Sequence, residues 1–568
     1  MNYQFKIENA NQQYLQVIVE GIAVQDNPII QLPSWRPGRY ELGNFAKNIK
    51  NFRVFNAEGR RVDFSKITKD SWSLALKQGE MFKIEYAYYA NLLNAGSTYL
   101  DSKQLYVNPV NCCIYQVGTE SEPCNLQLHI PSHWKIACSL TNENGILKAV
   151  NFDELADSPM ICSADLQHNS YVVNDTTFHM WFQGVTKPDW DRLLVDFKAF
   201  TEKQIEKFIE FPSAEYHFLF HILPHKAYHG VEHSKSTVIC LGPSYEVYKS
   251  LYKELLGVSS HELYHTWNVK AIRPIEMFPY DFTKENYSRL GYLCEGVTTY
   301  MGDLFLLKSK VFNLEQYFVE LKARFQTHFD NHARFNYSVA ESSFDTWLDG
   351  YEAGAPNRKV SIYTEGSLLA FVADVMILQG TNNKYGLDEV MRRLYFNYAL
   401  QGKGVSEADY KRELEAIGKC SFDSYFEEYV YGNKPYESIL VDSLEYLGIE
   451  MIQTPSPIYS HGRLGLKCVI DNEKTIAKQF YPGGPADVGG LMAEDIIVSI
   501  NGIVVQGNFD QWLEYFDDEE KRLTINRGGK LIELVIPEVN RNFYMETKLV
   551  LVDDPNNFQK KGFAAWSE

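Results

Sequence analysis

A short polar motif, His261-Glu262-Leu263-Tyr264-His265, carries the clearest chemical signal in this sequence of 568 residues. Residues four positions apart lie on one face of a helix, so the two imidazoles can bind one cation if the segment is helical. Glu262 then lies beside that cation without having to bind it. This HExxH spacing predicts two zinc ligands with a neighbouring acid that accepts a proton from water. An amphipathic helix with two buried histidines is the structural alternative.

A third metal ligand is predicted at Glu295, in the segment Leu293-Cys294-Glu295-Gly296-Val297. A hydrolytic zinc site uses three protein ligands and leaves one coordination position open. Glu295 begins the next helical stretch, and a second helix antiparallel to the first would bring its carboxylate to the metal. Taken alone, Glu295 would be an acid that stabilises the N-terminal end of a helix.

Three regions of different periodicity must position these residues, and together they predict a multidomain α+β fold. Residues 1–165 alternate polar and apolar residues between turn residues, which predicts a β-sandwich-like domain. Residues 166–440, which contain the motif, are predicted to form the catalytic domain. Their periodicity predicts a strand pair followed by a mainly helical region. The predicted strands of this domain are 216–223 and 237–241, and its predicted helices are 190–208, 245–269, 292–308, 314–329 and 366–377. Strands return over 445–540, and 541–568 form a C-terminal tail.

The charge balance and the apolar pattern exclude two classes of partner. Lysine and arginine number 55 against 73 aspartates and glutamates, so the net charge of −18 has the wrong sign for binding nucleic acid. A membrane-spanning helix needs about 18 or more consecutive apolar residues. The longest candidate, Leu368–Leu378, is shorter and contains Asp374. The sequence therefore predicts no membrane span.

The N-terminus and the cysteines indicate a cytoplasmic location. The first eight residues alternate like a strand and lack the apolar core of a secretory signal. The nine cysteines are scattered and form no CxxC pair, which favours reduced thiols over a disulfide framework.

Longer stretches around the motif resemble a known family. His261–Pro274 (HELYHTWNVKAIRP) and Glu295–Tyr300 (EGVTTY) resemble the glycyl aminopeptidases, zinc metallopeptidases of the gluzincin group that carry a PDZ domain. Leu32–Tyr40 (LPSWRPGRY) resembles the N-terminal β-domain of that family, and Ser342–Trp347 resembles its helical region. The resemblance implies a thermolysin-like catalytic domain with one Zn²⁺ per chain. It also implies removal of N-terminal residues from peptides, with small residues such as glycine or alanine preferred.

The resemblance assigns roles to individual residues. It implies that His261, His265 and Glu295 bind the zinc ion and that Glu262 is the general base. Tyr363, in the segment SIYTEG, aligns with a tyrosine that stabilises the transition state. Glu365 stands where the family usually has lysine, which weakens the alignment at Tyr363.

Gly230-Val231-Glu232 resembles a segment of related aminopeptidases in which the glutamate binds the free α-amine of the substrate. A partly dehydrated carboxylate at a fixed distance from the metal would favour an ammonium group through a charged hydrogen bond. The three residues are therefore predicted to bind substrate. In the structural alternative, Glu232 is an acid at a strand end that pairs with Lys235.

The C-terminal region resembles a PDZ domain of the bacterial protease type. The similarity lies in Leu464–Val469, Gly484–Leu491 and Asp495–Gly502, although Glu494 replaces the usual glycine before the aspartate. Such domains bind the C-terminal carboxylate of a peptide and add its strand to a sheet edge. A module that only packs on the catalytic domain is an equal alternative.

Three functions follow from these patterns. The first is a zinc aminopeptidase that acts on peptide or protein substrates. The second is a zinc endopeptidase whose PDZ domain selects protein C-termini, and the third is a non-catalytic peptide-binding scaffold. A structural zinc usually has cysteine ligands, and the absence of a cysteine cluster weighs against the third. Cobalt or manganese could occupy the same ligands as zinc.

Overall fold

The N-terminal region folds as a layered β domain in the computed structural model, which describes residues 1–352 and 354–568. A seven-stranded sheet has the strand order β13-β14-β11-β1-β2-β7-β4, and two four-stranded sheets have the orders β10-β3-β6-β5 and β12-β15-β9-β8. The strands are β1 (Asn2–Ile7), β2 (Tyr14–Ile22), β3 (Ile29–Gln31), β4 (Ile49–Asn56), β5 (Phe64–Thr68), β6 (Ser71–Leu74), β7 (Met81–Tyr89), β8 (Tyr99–Leu100), β9 (Gln104–Val107), β10 (Tyr115–Gln116), β11 (Cys124–His129), β12 (Lys135–Cys138), β13 (Thr141–Glu143), β14 (Ile146–Ala149) and β15 (Met160–Ser163).

The alternating sequence of these strands explains the layered arrangement. In β2, Leu15, Val17 and Val19 are fully buried while the residues between them are only partly buried. Successive strand residues point to opposite faces, so one face of the large sheet is apolar. This face packs against Ile30 and Leu74 of the smaller sheet and forms the core of the domain.

A five-stranded mixed sheet opens the catalytic region, with the order β16-β17-β18-β20-β19. The strands are β16 (Gln167–Val173), β17 (Thr176–Gly184), β18 (Glu215–Ile222), β19 (Ala227–Glu232) and β20 (Ser236–Gly242). One face packs on the helices through aromatic residues such as Phe218 and Phe220. The other face packs on the N-terminal domain, where Leu219 and Val238 contact the cluster of Tyr106 and Ile161. Strand β19 is left as an edge strand.

Helices complete the catalytic region and surround the functional cleft. They are α3 (Trp190–Phe208), α4 (Tyr252–Tyr264), α5 (Thr298–Lys308), α6 (Leu314–Asp330), α7 (Val339–Phe344), α8 (Thr346–Asp349), α9 (Ile362–Gly380), α10 (Leu387–Asn397), α11 (Glu407–Gly418) and α12 (Glu437–Tyr446), after the short α1 (Pro109–Cys112) and α2 (Phe152–Ala156) of the first domain. Two π-helical segments cover Tyr292–Val297 and Tyr425–Val430, and short 3₁₀ helices cover Ala10–Gln12, Phe45–Asn48, Ile275–Met277, His332–Phe335 and Ala399–Gln401.

Helix α9 alone among the described helices is long and apolar enough to cross a membrane, and 78% of the apolar window is buried inside the protein. Its residues, including Leu368, Phe371 and Val372, lie in the core of the catalytic region. The burial of α9 within this domain accounts for its apolar composition.

Two of the predicted elements differ from the structure. The helix predicted over 245–269 is α4 alone, because residues 243–251 form turns and the helix ends before His265. The predicted strand pair is part of a five-stranded sheet, since β19 lies between its members in sequence and pairs antiparallel with β20. Gly230 and the polar residues of β19 hid this strand from an argument based on apolar alternation.

The C-terminal region divides into a PDZ-like sheet and a separate strand pair. Strands β22 (Leu466–Asp471), β23 (Lys474–Phe480), β24 (Ile496–Ile500), β25 (Ile503–Val504), β26 (Lys521–Arg527) and β27 (Lys530–Ile536) form one sheet, with helices α13 (Tyr459–Gly462), α14 (Pro485–Val488) and α15 (Phe509–Tyr515). Strand β21 (Ile449–Pro455) instead pairs with β28 (Met545–Leu551). Helix α16 (Asn557–Ser567) follows, and its buried Trp566 lies in the catalytic core.

Candidate active site

The two histidines of the motif lie at the C-terminal end of α4, where their rings converge. His261 Nε2 and His265 Nε2 are 2.9 Å apart. His265 Nδ1 lies 2.8 Å from the carbonyl oxygen of Asn268, so the N–H at Nδ1 donates to this carbonyl and Nε2 keeps its lone pair. Such a hydrogen bond sets the tautomer and the ring orientation of a metal-binding histidine.

Glu295 lies in the π-helical segment that precedes α5, and its carboxylate lies close to both imidazoles. Its Oε2 lies 3.7 Å from His261 Nε2 and 3.3 Å from His265 Nε2. The Asn268 side chain donates to the carbonyl of Leu293 and to Thr298 Oγ1, at 2.8 and 3.0 Å. The loop after α4 is therefore tied to the segment that carries Glu295.

Glycines allow the elements behind the metal-binding side chains to approach closely. A Cβ atom at Gly302 would lie 3.0 Å from the Cα of His261, where α5 crosses α4. A Cβ atom at Gly296 would lie 2.3 Å from the Cα of Gly366 on α9. Larger residues at these two positions would separate the elements and move His261 and Glu295 apart.

The three side chains fit a divalent metal ion. Their ligand atoms all lie within 4.8 Å of one another, and the set of two imidazoles and one carboxylate is a common hydrolytic zinc set. Tetrahedral ligands about 2.1 Å from zinc would be about 3.4 Å apart, close to the separations observed here. The arrangement leaves one coordination position for water or substrate.

Glu262 lies beside this group in a pocket without a hydrogen-bond partner for one carboxylate oxygen. Its Oε2 is buried and unpartnered among the described residues, and Oε1 faces Gly230 on the edge strand β19. A Cβ atom at Gly230 would lie 2.1 Å from Oε1, so a side chain at this position would displace the Glu262 carboxylate. Burial raises the pKa of Glu262 well above its ordinary value, which favours proton uptake by this carboxylate.

Glu232 closes one end of the cleft at the end of β19. The residue is 6% exposed, and its carboxylate lies in the cleft with the carboxylate of Glu262 and the imidazole of His265 within 4.8 Å. Lys235 pairs instead with Glu154, at 2.5 Å, and not with Glu232. The structural alternative of a Glu232–Lys235 ion pair is therefore wrong.

The two other residues predicted to bind substrate lie on opposite faces of β19. Gly230 lines the cleft, whereas the Val231 side chain is 1% exposed and packs in the interface with the N-terminal domain. Alternation along the strand points the Val231 side chain away from the cleft. The Val231 side chain therefore does not line the cleft, and substrate binding by this residue stays a prediction.

Tyr363 lies in the first turn of α9 and lines the same cleft as Glu262. Burial raises the pKa of its phenol well above the ordinary value, and the charge of Glu295 adds to this effect. The hydroxyl group therefore keeps its proton and can donate a hydrogen bond. Glu365 is buried on the same helix and lies 2.7 Å from His328 Nδ1, so a buried pair explains the residue that replaces the usual lysine.

A loop of the N-terminal domain supplies residues that sequence reasoning did not assign to the site. The Tyr40 hydroxyl group donates to Glu295 Oε1 at 3.3 Å, and the residue is buried. Gly38 has a φ of +79°, and a Cβ atom there would lie 2.5 Å from Glu232 Oε2. The segment LPSWRPGRY contains both residues and was the sequence signal for their place near the site. It was used only to predict the fold of the first domain.

Asp157 of the first domain holds two catalytic segments in place. Its carboxylate accepts hydrogen bonds from Lys270 at 2.8 Å, from the main chain of Ser234 at 2.8 Å and from His233 Nδ1 at 3.0 Å. Lys270 follows the metal-binding helix, and His233 follows Glu232. Although burial opposes ionisation, the Lys270 and His233 charges lower the pKa of Asp157 well below its ordinary value.

One cleft of about 760 Å³ is lined by His261, His265, Glu295, Glu262 and Glu232. Gly38, Arg39, Tyr351 and Tyr363 also line the cleft, together with the ion pairs Arg324–Asp303 and Lys253–Glu320. A cleft of this size accommodates a short peptide segment across the metal-binding group.

Comparison with known proteins identifies the family. The profile described as the peptidase M61 N-terminal domain matches residues 2–164, and the profile described as M61 glycyl aminopeptidase matches 254–369. The chain belongs to the M61 glycyl aminopeptidase family. It is therefore a hydrolase of the metallo-aminopeptidase type. A PDZ domain profile matches residues 476–527, within the sheet of β22 to β27.

Solved structures with the same fold include an aminopeptidase N family protein from Idiomarina loihiensis. The TM-score is 0.91 with 24% sequence identity, and the alignment covers 100% of both chains. This similarity supports the three-part architecture of the M61 chain. An M1 zinc metallopeptidase from Deinococcus radiodurans aligns with a TM-score of only 0.46 and 13% identity, over 76% of this chain and 94% of that one. Among curated proteins there is no match.

The PDZ domain of this M61 chain docks on the catalytic region through strands β22 and β23. Gln479 donates to the carbonyl of Asp330 at the end of α6, and Lys467 pairs with the carboxylate of Asp330. Strand β22 is the edge of the PDZ sheet. The segment after β27 contacts the loop between α13 and β22. The main-chain N–H of Phe543 donates to the carbonyl of Gly462, and the Phe543 side chain packs near Gly465.

Proposed function

We propose that this M61 peptidase is a zinc aminopeptidase that removes N-terminal residues, preferentially small ones, from peptides. The observation that carries the proposal is the convergence of His261, His265 and Glu295 beside Glu262, with Glu232 at one closed end of the same cleft. A carboxylate beyond the metal-binding group favours a substrate whose free ammonium group ends there. The neighbouring tyrosines and the Gly38 loop narrow this end, which supports a preference for glycine or alanine.

In the proposed mechanism, His261, His265 and Glu295 hold the zinc ion, which supplies Lewis-acid activation of water and of the peptide carbonyl when bound. Glu262 accepts the proton of the attacking water at its carboxylate and returns it to the leaving amine. Tyr363 donates a hydrogen bond to the oxygen of the peptide carbonyl as negative charge develops there. Glu232 holds the substrate ammonium and thereby sets which peptide bond lies at Glu262.

Glu262 is the residue whose substitution tests this mechanism most directly. Glu262→Gln keeps the shape of the side chain but cannot accept the proton, so kcat should fall by roughly 10² to 10⁴. Zinc content, measured by atomic emission, should remain that of the wild type because Glu262 is not a ligand. A variant that loses its zinc, or that retains full turnover, would contradict the assigned role.

Free and acetylated peptides test the role of Glu232. Removal of the positive charge by acetylation should raise KM and lower kcat/KM for peptides that begin with glycine or alanine. Glu232→Gln should weaken cleavage of free peptides and narrow the difference between free and blocked ones, as measured by chromatography of the products. Efficient cleavage of blocked peptides, or internal cleavage of an unfolded protein without stepwise N-terminal loss, would favour an endopeptidase.

A further inference from the structure

A second cavity lies in the N-terminal domain, behind the loop that contacts the catalytic cleft. It has a volume of about 390 Å³ and lies between the segment 36–48, the end of β7 and the segment 91–98. The cleft of about 760 Å³ and this cavity share Arg39 as a wall residue. The other residues of this cavity do not line the cleft.

The charge of the cavity is opposite to that of the whole chain. Arg36, Arg39 and Lys47 line it, and Glu41 is the one acidic residue among the lining residues. Glu41 is already paired with Arg39. Two positive charges are therefore left over in this cavity, although the chain as a whole carries a net charge of −18.

Arg36 is the residue that most strongly indicates a ligand. It is 4% exposed, and within the described ranges 1–352 and 354–568 no carboxylate lies within 4.0 Å of its guanidinium group. Its one hydrogen bond there is a long contact of 3.4 Å from Nη1–H to the carbonyl of Pro37. Burial lowers the pKa of Arg36, yet a guanidinium group remains protonated in proteins. The charge of Glu232 acts on Arg36 from beyond 4.0 Å, but no carboxylate of the described residues pairs with it directly, so its guanidinium N–H groups can still donate to an anion.

The backbone around Arg36 is shaped to hold its guanidinium group. A Cβ atom at Gly96 would lie 2.1 Å from Nη2 and 2.3 Å from Nε, so a side chain there would displace the guanidinium group from its present position. Gly96 is held by a hydrogen bond from its main chain to Asn94 Oδ1, at 2.9 Å. A guanidinium group fixed in this way presents parallel N–H donors that match two oxygens of one anion.

We propose that this cavity binds a small oxoanion, a carboxylate or a phosphate, through Arg36 with Lys47 at the rim. The site is separate from the zinc ligands and does not depend on the proposed function. It lies on the back of the loop whose Gly38 contacts Glu232 and whose Tyr40 contacts Glu295.

Binding is tested on the full chain carrying His261→Ala and His265→Ala, so that anions cannot bind a catalytic metal. Calorimetry and thermal unfolding are measured with sodium phosphate and sodium acetate, each against sodium chloride of equal ionic strength. We expect one saturable site and a rise in the unfolding midpoint with at least one of the two anions. The anion that binds more tightly identifies the ligand class. Equal behaviour of phosphate, acetate and chloride would overturn the proposal.

Charge variants locate the site. Arg36→Gln should abolish the anion effect, and Lys47→Glu should weaken binding by roughly tenfold or more because it reverses a charge at the rim. Lys103→Glu reverses an exposed charge in the same domain outside the cavity and should leave binding unchanged. If Arg36→Gln does not fold, the anion affinities of Lys47→Glu and Lys103→Glu decide whether this cavity is the binding site. Equal anion binding by Lys47→Glu and Lys103→Glu would exclude this cavity.

Discussion

At the scale of single residues, the site depends on carboxylates in three different environments. Glu295 faces two imidazoles, Glu262 is buried with an unpartnered oxygen, and Glu232 lies at the closed end of the cleft. The residue type and spacing predicted which acids were candidates. Their separate roles depend on the neighbours of each carboxylate, because nearby charges and burial decide whether an acid binds metal, carries a proton or attracts an ammonium group.

Tyr40 is expected to position Glu295 for metal binding. Tyr40→Phe removes the hydroxyl group that donates to Glu295 Oε1 but keeps the ring that packs edge-on against Trp347. Loss of a hydrogen bond that a neighbouring residue donates to a metal ligand should weaken zinc affinity by roughly 10- to 100-fold. Competition with a chromogenic chelator measures the affinity, and Tyr14→Phe elsewhere in the first domain is the control. Unchanged zinc affinity of Tyr40→Phe would show that the contact has no positioning role.

At the scale of elements, the edge strand β19 and the helix α4 lie side by side along the cleft. The polar composition of β19 concealed it in the sequence, and only the register with β20 shows that Gly230 and Glu232 share a face. Glycines at the contacts of α4, α5 and α9 set the spacing of the metal-binding side chains. A sequence shows these glycines but not which backbone lies opposite each of them.

Gly230→Ala tests the contact between β19 and α4. The added methyl group would lie 2.1 Å from Glu262 Oε1 and must displace the carboxylate. A displacement of about 1 Å at a catalytic group can cost roughly 10²-fold, so we expect kcat to fall by about this factor. Gly257→Ala on α4 adds the same group where no atom lies within 4 Å, and its kcat should be unchanged. Similar kcat values for the two variants would refute the steric role of Gly230.

At the scale of the whole molecule, the N-terminal domain is part of the active site. Gly38 of its loop lines the cleft and Tyr40 contacts Glu295, while its Asp157 holds the segments that follow Glu232 and helix α4. At the other end of the chain, Trp566 of α16 donates from Nε1 to Tyr300 on α5, at 2.8 Å. The segment predicted as a tail therefore packs on the catalytic region.

Asp157→Asn should destabilise the full chain in a pH-dependent manner. The substitution leaves Lys270 buried without its charged partner, which should cost about 3–5 kcal/mol at pH 7. The pKa of Asp157 is lowered in the folded state, so its stabilisation is present above the unfolded pKa of about 4 and is lost as pH falls towards the folded value. The difference in unfolding midpoint between wild type and variant should therefore shrink below about pH 4.

The exposed Asp165→Asn is the matched control, and its midpoint should follow that of the wild type at every pH. A constant difference between Asp157→Asn and wild type from pH 7 down to acid would show that ionisation of Asp157 does not stabilise the fold.

The sequence by itself determined the HExxH motif, the candidate third ligand, the all-β and helical regions and the family, because these depend on residue types at short spacing. Helix α3 begins and ends at the predicted residues, since an N-capping Asp189 and a regular apolar period mark it locally. Only the tertiary structure decided that Gly38 lines the cleft, that Tyr40 contacts Glu295, that the Val231 side chain points away from the cleft and that Arg36 is buried with no carboxylate of the described residues within 4.0 Å. These features arise from contacts between residues that are up to 255 positions apart, and local periodicity contains no information about which distant surfaces meet.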